Sequence, residues 1–212
     1  LNSDKSDFGA VLHENSLYFA SARNGAKKTY GWTDEPYLDI YKANYNVDGT
    51  ITNAEPVVEV NSKWHDGPVT LSADGNTMYF ASESFKEKSF EKDKVNNTRL
   101  KVSQVNLFKA TNVNGKWSNI TILPFCSNAY STGNPYLSKD GKTLFVNNGG
   151  RLTKIDVEGG KTSSIDVSSD LVLNPQAERN YIYNHMWRQT AKKFYDPKLH
   201  GVDWNMYKET YA

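Results

Sequence analysis

The chain of 212 residues has a single cysteine, Cys126, so no disulfide can form within it. No apolar run approaches the ~20 residues of a membrane-spanning helix, so we expect no membrane span. The formal net charge is only +1, which argues against nucleic acid as a partner. A polar run over residues 84–101 mixes both signs and is predicted to be a solvated loop.

Side chains that could form a reactive centre or a metal site are also scarce. The four histidines lie far apart in the sequence, whereas nucleophilic catalysis needs a base within hydrogen-bond reach of its nucleophile. The carboxylates lack the regular spacing of a calcium loop. We therefore predict no catalytic residue, no metal site and no cofactor in this stretch.

What the chain does contain is a sequence of ten residues that occurs twice. Residues 71–80 read LSADGNTMYF, and residues 137–146 read LSKDGKTLFV. A shorter copy upstream, NSLYF at 15–19, matches NTMYF at 76–80. Each copy has the pattern of an extended segment, a tight turn and an apolar strand, and repetition at this period predicts an array of β units.

The turn in each long copy carries an Asp-Gly pair. We predict that the carboxylates of Asp74 and Asp140 accept hydrogen bonds from backbone amides just downstream. Gly75 and Gly141 are predicted to adopt a positive φ, which glycine does without steric cost. These four residues are therefore predicted to have a structural role.

The segments between the copies complete a unit of four strands. Residues 38–43 (LDIYKA) and 105–110 (VNLFKA) both alternate, and each is followed by a polar turn and an outer strand. We predict a mainly β fold, with about three four-stranded antiparallel blades of a partial β-propeller over residues 1–170. A β-sandwich is the alternative, which the long period disfavours. Because a closed propeller has roughly four to eight blades, we expect further blades or partner chains to supply the remainder.

The pattern changes to a helical one near residue 170. Asn174 followed by Pro175 predicts a helix start, with the asparagine as N-cap and proline at the first position. Apolar and aromatic residues then recur at helical spacing, and Asp203 is predicted to cap a second helix. We predict that residues 171–212 form an αα-hairpin, the start of a second domain that continues beyond Ala212.

A loop rich in aromatic residues supplies the candidate ligand-binding side chains. Tyr30, Trp32 and Tyr37 lie close together in the sequence, on either side of a pair of carboxylates. Such a loop can grip a peptide or a glycan at the mouth of a propeller, and a packed insertion is the alternative. We include His65 with these three residues as a candidate contact, and we expect a peptide or protein ligand.

Two family resemblances cover different parts of the chain. Residues from about 6 to 145 resemble the propeller of OmpA-family envelope lipoproteins of Bacteroidetes, including those of the type IX secretion apparatus. The matching phrases are LYFASAR at 17–23, HDGPVT at 65–70 and YSTGNP at 130–135. This resemblance implies an envelope scaffold or binding module without enzymatic activity. It also implies export to the periplasm or cell envelope, with a signal that does not lie in these residues.

Residues from about 149 to 212 resemble a tricorn-type serine peptidase. The matching phrases are GRLTKID at 150–156, NPQAER at 174–179, WRQ at 187–189, KFYD at 193–196 and HGVDW at 200–204. The resemblance implies a passage from the last propeller blade into the helical start of the catalytic core. It also implies that the family's Ser-His pair lies beyond Ala212, and no Ser-His dipeptide occurs here.

Two classes of function follow from these resemblances. In the first, the chain is the non-catalytic propeller and linker of an exported tricorn-like peptidase, and it binds or gates peptide for a downstream active site. In the second, it is an envelope scaffold with no chemistry of its own. We favour the first, because the helical stretch carries the more specific phrases.

Overall fold

A computed structural model of the chain describes residues 2–26, 28–83, 91–95, 98–168, 170 and 172–211. The chain divides into two compact units, Leu1–Asp166 and Val167–Ala212. The first unit is built of strands and the second of helices.

Three four-stranded antiparallel sheets make up the first unit, and each is one blade. The first stretch has β1 (Asp7–His13), β2 (Ser16–Ser21), β3 (Thr29–Tyr30), β4 (Glu35–Pro36), β5 (Asp39–Tyr45) and β6 (Ile51–Pro56). Blade 1 has the order β1-β2-β5-β6, and β3 pairs with β4 as a separate hairpin.

Blades 2 and 3 repeat this order. The second stretch has β7 (Asp66–Leu71), β8 (Thr77–Glu83), β9 (Glu91–Val95), β10 (Thr98–Val102), β11 (Val105–Val113) and β12 (Lys116–Ile122). Blade 2 has the order β7-β8-β11-β12, and β9 pairs with β10. Blade 3 consists of β13 (Thr132–Leu137), β14 (Thr143–Asn148), β15 (Arg151–Asp156) and β16 (Thr162–Ser164) in sequence order.

Consecutive blades lie face to face, with their first strands adjacent. β7 contacts both β1 and β13, so the first strands of the three blades meet along a common line. Successive side chains of β8 point to opposite faces. Met78 and Phe80 therefore pack in the core shared with blade 1, whereas Tyr79 and Ala81 pack in the core shared with blade 3. The prediction of about three radial blades is confirmed.

Three expectations about strands need correction. The residue pattern alone predicts the outer strand of blade 1 at 54–60 and the last strand of blade 3 at 162–167, whereas the structure has them at Ile51–Pro56 (β6) and Thr162–Ser164 (β16). The polar run at 84–101 is not simply a loop, because β9 lies within it and pairs with β10, which begins within it and ends at Val102. Pairing of this ribbon satisfies its own backbone groups, and polar composition does not reveal that. Residues 84–90 and 96–97 of this run lie outside the described residues.

The first helix begins where the sequence predicts. α1 (Pro175–Lys193) starts behind Asn174, whose side chain accepts a hydrogen bond from the Ala177 amide at 3.1 Å. α2 (Trp204–Tyr211) follows Asp203, whose carboxylate accepts from the Met206 amide at 3.0 Å. The predicted helix pair is confirmed, and within the described part of the chain neither helix is long and apolar enough to cross a membrane.

Aromatic contacts join the two helices. The rings of Trp187 and Trp204 stack with centroids 4.1 Å apart, and the Trp204 indole donates to the Trp187 carbonyl at 3.3 Å. The Tyr183 hydroxyl donates to the Lys208 carbonyl at 3.0 Å. Neither helix has a fully buried residue, so these contacts of Tyr183, Trp187 and Trp204 supply the packing between the helices.

Candidate functional site

The two Asp-Gly turns have the same internal geometry. The Ser72 hydroxyl donates to the Asp74 carboxylate at 2.5 Å, and the Asn76 amide donates to it at 3.0 Å. Gly75 has a φ of +68°. The hydrogen bond from Ser72, helped by those from Asn76, lowers the pKa of Asp74 to about 2. This carboxylate therefore holds a turn together.

The turn in blade 3 repeats the arrangement. The Ser138 hydroxyl donates to Asp140 at 2.6 Å, the Lys142 amide donates to it at 3.1 Å, and Gly141 has a φ of +74°. The hydrogen bond from Ser138, followed by that from the Lys142 amide, lowers the pKa of Asp140. Both carboxylates thus accept hydrogen bonds from donors of their own turns, which is the structural role that the sequence predicts.

The aromatic loop forms the small hairpin of β3 and β4. Its tip is closed by the Tyr30 carbonyl, which accepts hydrogen bonds from the Thr33 amide at 3.2 Å and the Asp34 amide at 2.9 Å. Its far strand is tied to the start of blade 1, because the Ser6 hydroxyl donates to Glu35 at 2.6 Å. These bonds hold the hairpin beside the ends of the blades.

His65 lies between two tyrosines of this loop. Its ring centroid is 4.6 Å from that of Tyr30, in an edge-to-face contact, and 4.7 Å from that of Tyr37. The Leu38 amide donates to His65 Nδ1 at 3.1 Å. Burial lowers the pKa of His65, which favours the neutral ring. Since Nδ1 is an acceptor, the proton of the neutral ring is on Nε2.

The other nitrogen of His65 lacks a hydrogen-bond partner. Nε2 is shielded from solvent and has no acceptor among the residues that the structure describes. A buried donor left without a partner costs about 1–3 kcal/mol. His65 therefore carries a buried N–H that has no hydrogen-bond partner among the described residues.

Tyr37 and Trp64 form the outer layer of the cluster, together with Lys28. The two rings meet edge to face at 5.6 Å, and the Lys28 ammonium lies 4.1 Å from the Trp64 centroid and 5.3 Å from that of Tyr37. Such cation–π contacts hold the ammonium at the rings. Burial raises the pKa of Tyr37, and the nearby charge of Glu83 adds to the effect.

A cavity of about 430 Å³ opens beside this cluster, and we call it the axial cavity because the first strands of all three blades contribute to it. Its apolar wall consists mainly of Phe8, Pro36, Leu38, Pro68, Ala81 and Val105. Polar and aromatic groups on its wall include Tyr30, Thr33, Glu35, His65, Glu83 and Asn134. A mostly apolar concavity with a few convergent polar groups is typical of a ligand site.

Glu83 is one of two acidic residues in the wall of this cavity, and Glu35 is the other. Its amide donates to the His65 carbonyl at 3.2 Å, which makes the two residues neighbours across the β7–β8 ladder. Burial raises the pKa of Glu83; the charge of Asp66 also raises it, while the Ser103 hydroxyl at 3.2 Å and the charge of Lys28 lower it. The carboxylate is thus partly desolvated beside the ring of His65.

A second carboxyl group with a raised pKa lies behind the cluster. Burial raises the pKa of Asp39 to about 6; a hydrogen bond from Asn24 at 2.8 Å opposes this rise, and the charge of Asp66 adds to it. Asp66 is fully buried, and its carboxylate accepts from the Ser62 amide at 2.5 Å. The surroundings of the axial cavity are therefore rich in acidic groups.

The structure brings three of the four sequence candidates together. Tyr30, Tyr37 and His65 form one ring cluster, whereas Trp32 is 90% exposed at the tip of the hairpin and does not line the axial cavity. Trp32 contacts the cluster through Tyr30, at a centroid distance of 6.1 Å.

Sequence reasoning missed three members of the site: Lys28, Trp64 and Glu83. Trp64 directly precedes His65, and Lys28 borders the aromatic loop, so their closeness in sequence to the candidate residues is the signal that indicates them. Glu83 follows the second repeat, and only the pairing of β7 with β8 brings it beside His65. In the described residues no group of three or more acidic, histidine or cysteine side chains has the geometry to hold a metal ion.

Comparison with known proteins gives one family match, in the helical unit. Residues 175–212 match the model of the tricorn protease C1 domain. Among curated proteins, none matches the chain. The link of the helical stretch to tricorn-type proteins, expected from its sequence phrases, is thereby supported.

Two solved structures are among those to which the chain is similar. The tricorn protease is 11% identical, over 95% of this chain and 26% of that chain, with a TM-score of 0.41. The Pseudomonas aeruginosa periplasmic gluconolactonase PpgL is 13% identical, over 79% of this chain and 60% of that chain, with a TM-score of 0.33. The chain thus spans about a quarter of the tricorn protease and less than two thirds of the lactonase.

Proposed function

We propose that this chain is the propeller and linker portion of an exported tricorn-like serine peptidase, and that its axial cavity binds peptide for an active site carried elsewhere. The match of residues 175–212 to the tricorn protease C1 domain supports the peptidase context. The resemblance of the strand-rich part to envelope proteins supports a location in the periplasm or cell envelope.

The observation that carries the binding role is the axial cavity itself. It is about 430 Å³ in volume, large enough for one or two side chains of a peptide, and the tyrosines of the aromatic loop stand beside it. Its walls are mostly apolar, which favours a peptide side chain over a glycan, whose hydroxyl groups would need many more polar partners. The cavity adjoins the ends of the blades, where loops can admit an extended chain.

A binding assay with the full chain tests this role. The probe is a fluorescein-labelled, capped pentapeptide with leucine at its centre and glycines on either side, followed by fluorescence anisotropy. Thr33→Trp fills the cavity from an exposed loop position, and Tyr30→Ala removes a wall. We expect both variants to weaken binding at least tenfold, because they change the volume and shape of the cavity.

Trp32→Ala is the matched control, since Trp32 belongs to the same loop but lies outside the cavity. Its affinity should stay within twofold of the wild type. Equal affinity of the wild type, T33W and Y30A would overturn the assignment of the cavity. Failure of the folded wild-type chain to bind any capped pentapeptide would overturn peptide binding and favour the envelope scaffold.

A further inference from the structure

We propose that Tyr195 is a reactive tyrosine that takes an acyl group from an activated ester, with His200 as its general base and Asp196 as the residue that positions the base. The three residues lie in the connection between α1 and α2. The site is one of covalent modification. It goes beyond the proposed peptide binding, which involves other residues.

The side chains of this connection form a relay from a carboxylate through an imidazole to a phenol. The Tyr195 hydroxyl and Nε2 of His200 form a hydrogen bond, and on the other side of the ring Oδ2 of Asp196 lies 3.4 Å from Nδ1. With its hydrogen on Nδ1, the neutral ring turns a donor to the carboxylate and an acceptor to the phenol. A nucleophile, a base within its reach and a third group that orients the base are together the signature of an activated nucleophile.

The carboxylate of the relay is itself held by the backbone of the connection. Oδ1 of Asp196 accepts from the Lys198 amide at 2.9 Å, and Oδ2 accepts from the His200 amide at 2.9 Å. The ring of Phe194 meets that of His200 edge to face, with centroids 5.5 Å apart. These contacts fix the carboxylate and the imidazole, so the base is in position before an acyl donor arrives.

The backbone conformation is a second, independent reason to assign a function to this connection. Leu199 and His200 have φ of +49° and +54°, in the left-handed region that residues other than glycine rarely adopt. Such conformations persist only where the surrounding structure holds them, and they cluster at functional sites. Here they bring the His200 ring between Tyr195 and Asp196.

The relay is open to a reagent, because Tyr195 is 79% exposed and the His200 side chain is 56% exposed. As the phenol oxygen attacks the ester carbonyl carbon, its proton passes to Nε2 of His200, and the Asp196 carboxylate stabilises the resulting imidazolium. The bond to the leaving oxygen then breaks, and that oxygen takes the proton. Tyrosine and ester thus give an O-acyl tyrosine and a free alcohol or phenol.

The exposure of the relay also indicates the class of acyl donor. Enzymes that cleave unactivated esters stabilise the oxyanion with donors in an enclosed, water-excluded site. An exposed tyrosine relies on the leaving group instead. The expected donor is therefore an ester with a good leaving group, such as an aryl ester.

Brief treatment of the full chain with 4-nitrophenyl acetate at about pH 7.5 tests the proposal. Mass spectrometry of proteolytic fragments gives the acetylated fraction of each tyrosine. Tyr211, 69% exposed, is the internal control for exposure. Tyr181, 63% exposed, is the control for a nearby histidine, because its ring stacks on that of His185 with centroids 5.8 Å apart. We expect Tyr195 to be acetylated at least tenfold faster than either control.

Variants of the relay separate its members. His200→Asn removes the base and suits the left-handed backbone, which asparagine adopts more readily than most residues, so Tyr195 should then react within about twofold of Tyr211. His185→Asn is the matched control and should leave the reactivity of Tyr195 unchanged. Asp196→Asn should slow Tyr195 about threefold to tenfold in the wild type but not in H200N, because it acts through His200. Circular dichroism verifies that each variant keeps its helices.

Three results would count against the relay. Equal acetylation rates of Tyr195 and Tyr211 in the wild type would overturn the proposal. A preference for Tyr195 that survives in H200N would overturn the role of His200 as the base. If D196N slows Tyr195 equally with and without His200, Asp196 acts on the fold of the connection, and its positioning role is overturned.

Discussion

Replacing the glycine of each repeated turn by alanine tests the contact between blades 1 and 2. Gly75 and Gly141 have nearly the same backbone conformation, with φ of +68° and +74°. An alanine in this left-handed region costs about 1–2 kcal/mol of folding free energy. If local conformation alone mattered, G75A and G141A would therefore be equally destabilised.

The surroundings of the two glycines differ. A Cβ built on Gly75 would overlap Nε2 of His13, at the end of β1 in blade 1, whereas one built on Gly141 meets nothing within 4 Å. The overlapping atom is the far end of a partly exposed side chain, so turning the His13 ring relieves the overlap at a cost of about 0.5–1.5 kcal/mol. We therefore expect G75A to lose about 0.5–1.5 kcal/mol more than G141A, on top of the shared conformational cost.

Urea unfolding at 25 °C, followed by circular dichroism, measures these differences. The decisive comparison is G75A in a His13→Ala background, where the overlap is absent and the added cost of G75A should fall to that of G141A. Equal losses for the two single variants would refute the reasoning. An excess cost of G75A that survives in the H13A background would refute it as well.

Three further outcomes are expected. Burial raises the pKa of Asp39 to about 6, with Asn24 opposing and Asp66 adding to the rise, so the folded chain keeps a proton that the unfolded chain releases. The free energy of unfolding should therefore fall as pH rises from about 4 to about 6. Urea titrations at several pH values should show a smaller fall for D39N, and an equal pH dependence in D39N and the wild type would contradict the role of Asp39. W204A should release α2 from α1, so the amides of α2 should lose about 1–3 kcal/mol of protection against hydrogen exchange. M206A should leave α2 protected, and equal protection in both variants would contradict a role of the Trp187–Trp204 stack in holding the helices together. The 212-residue chain should cleave no casein, because the family resemblance implies a Ser-His pair outside it; turnover abolished by a serine-reactive inhibitor would show otherwise.

Local patterns predicted the parts of the fold whose geometry is set by neighbouring residues. The turn around Asp74 closes through hydrogen bonds from Ser72 and Asn76, two residues away on either side. The start of α1 depends on Asn174 and the amide three residues later. Such features could be predicted because every partner lies in one short stretch.

The candidate site depends on contacts between segments that are distant in the sequence, and local sequence patterns do not predict such contacts. His65 approaches Tyr30 because the small hairpin folds back over the start of blade 2. Glu83 reaches the cavity through the register of β8 against β7, and a shift of one residue would turn it to the other face. Trp32 has the same aromatic character as Tyr30, but its place at the hairpin tip leaves it exposed.

Photo-crosslinking with a leucine-centred, capped pentapeptide that carries benzophenone at one end tests most directly whether peptide occupies the axial cavity. After irradiation of the full chain, mass spectrometry of its proteolytic fragments locates the attached probe. We predict attachment within residues 30–38 and 65–68, competed away by excess unlabelled peptide and absent in T33W. Competable attachment confined to α1 and α2, or undiminished in T33W, would contradict binding in the cavity.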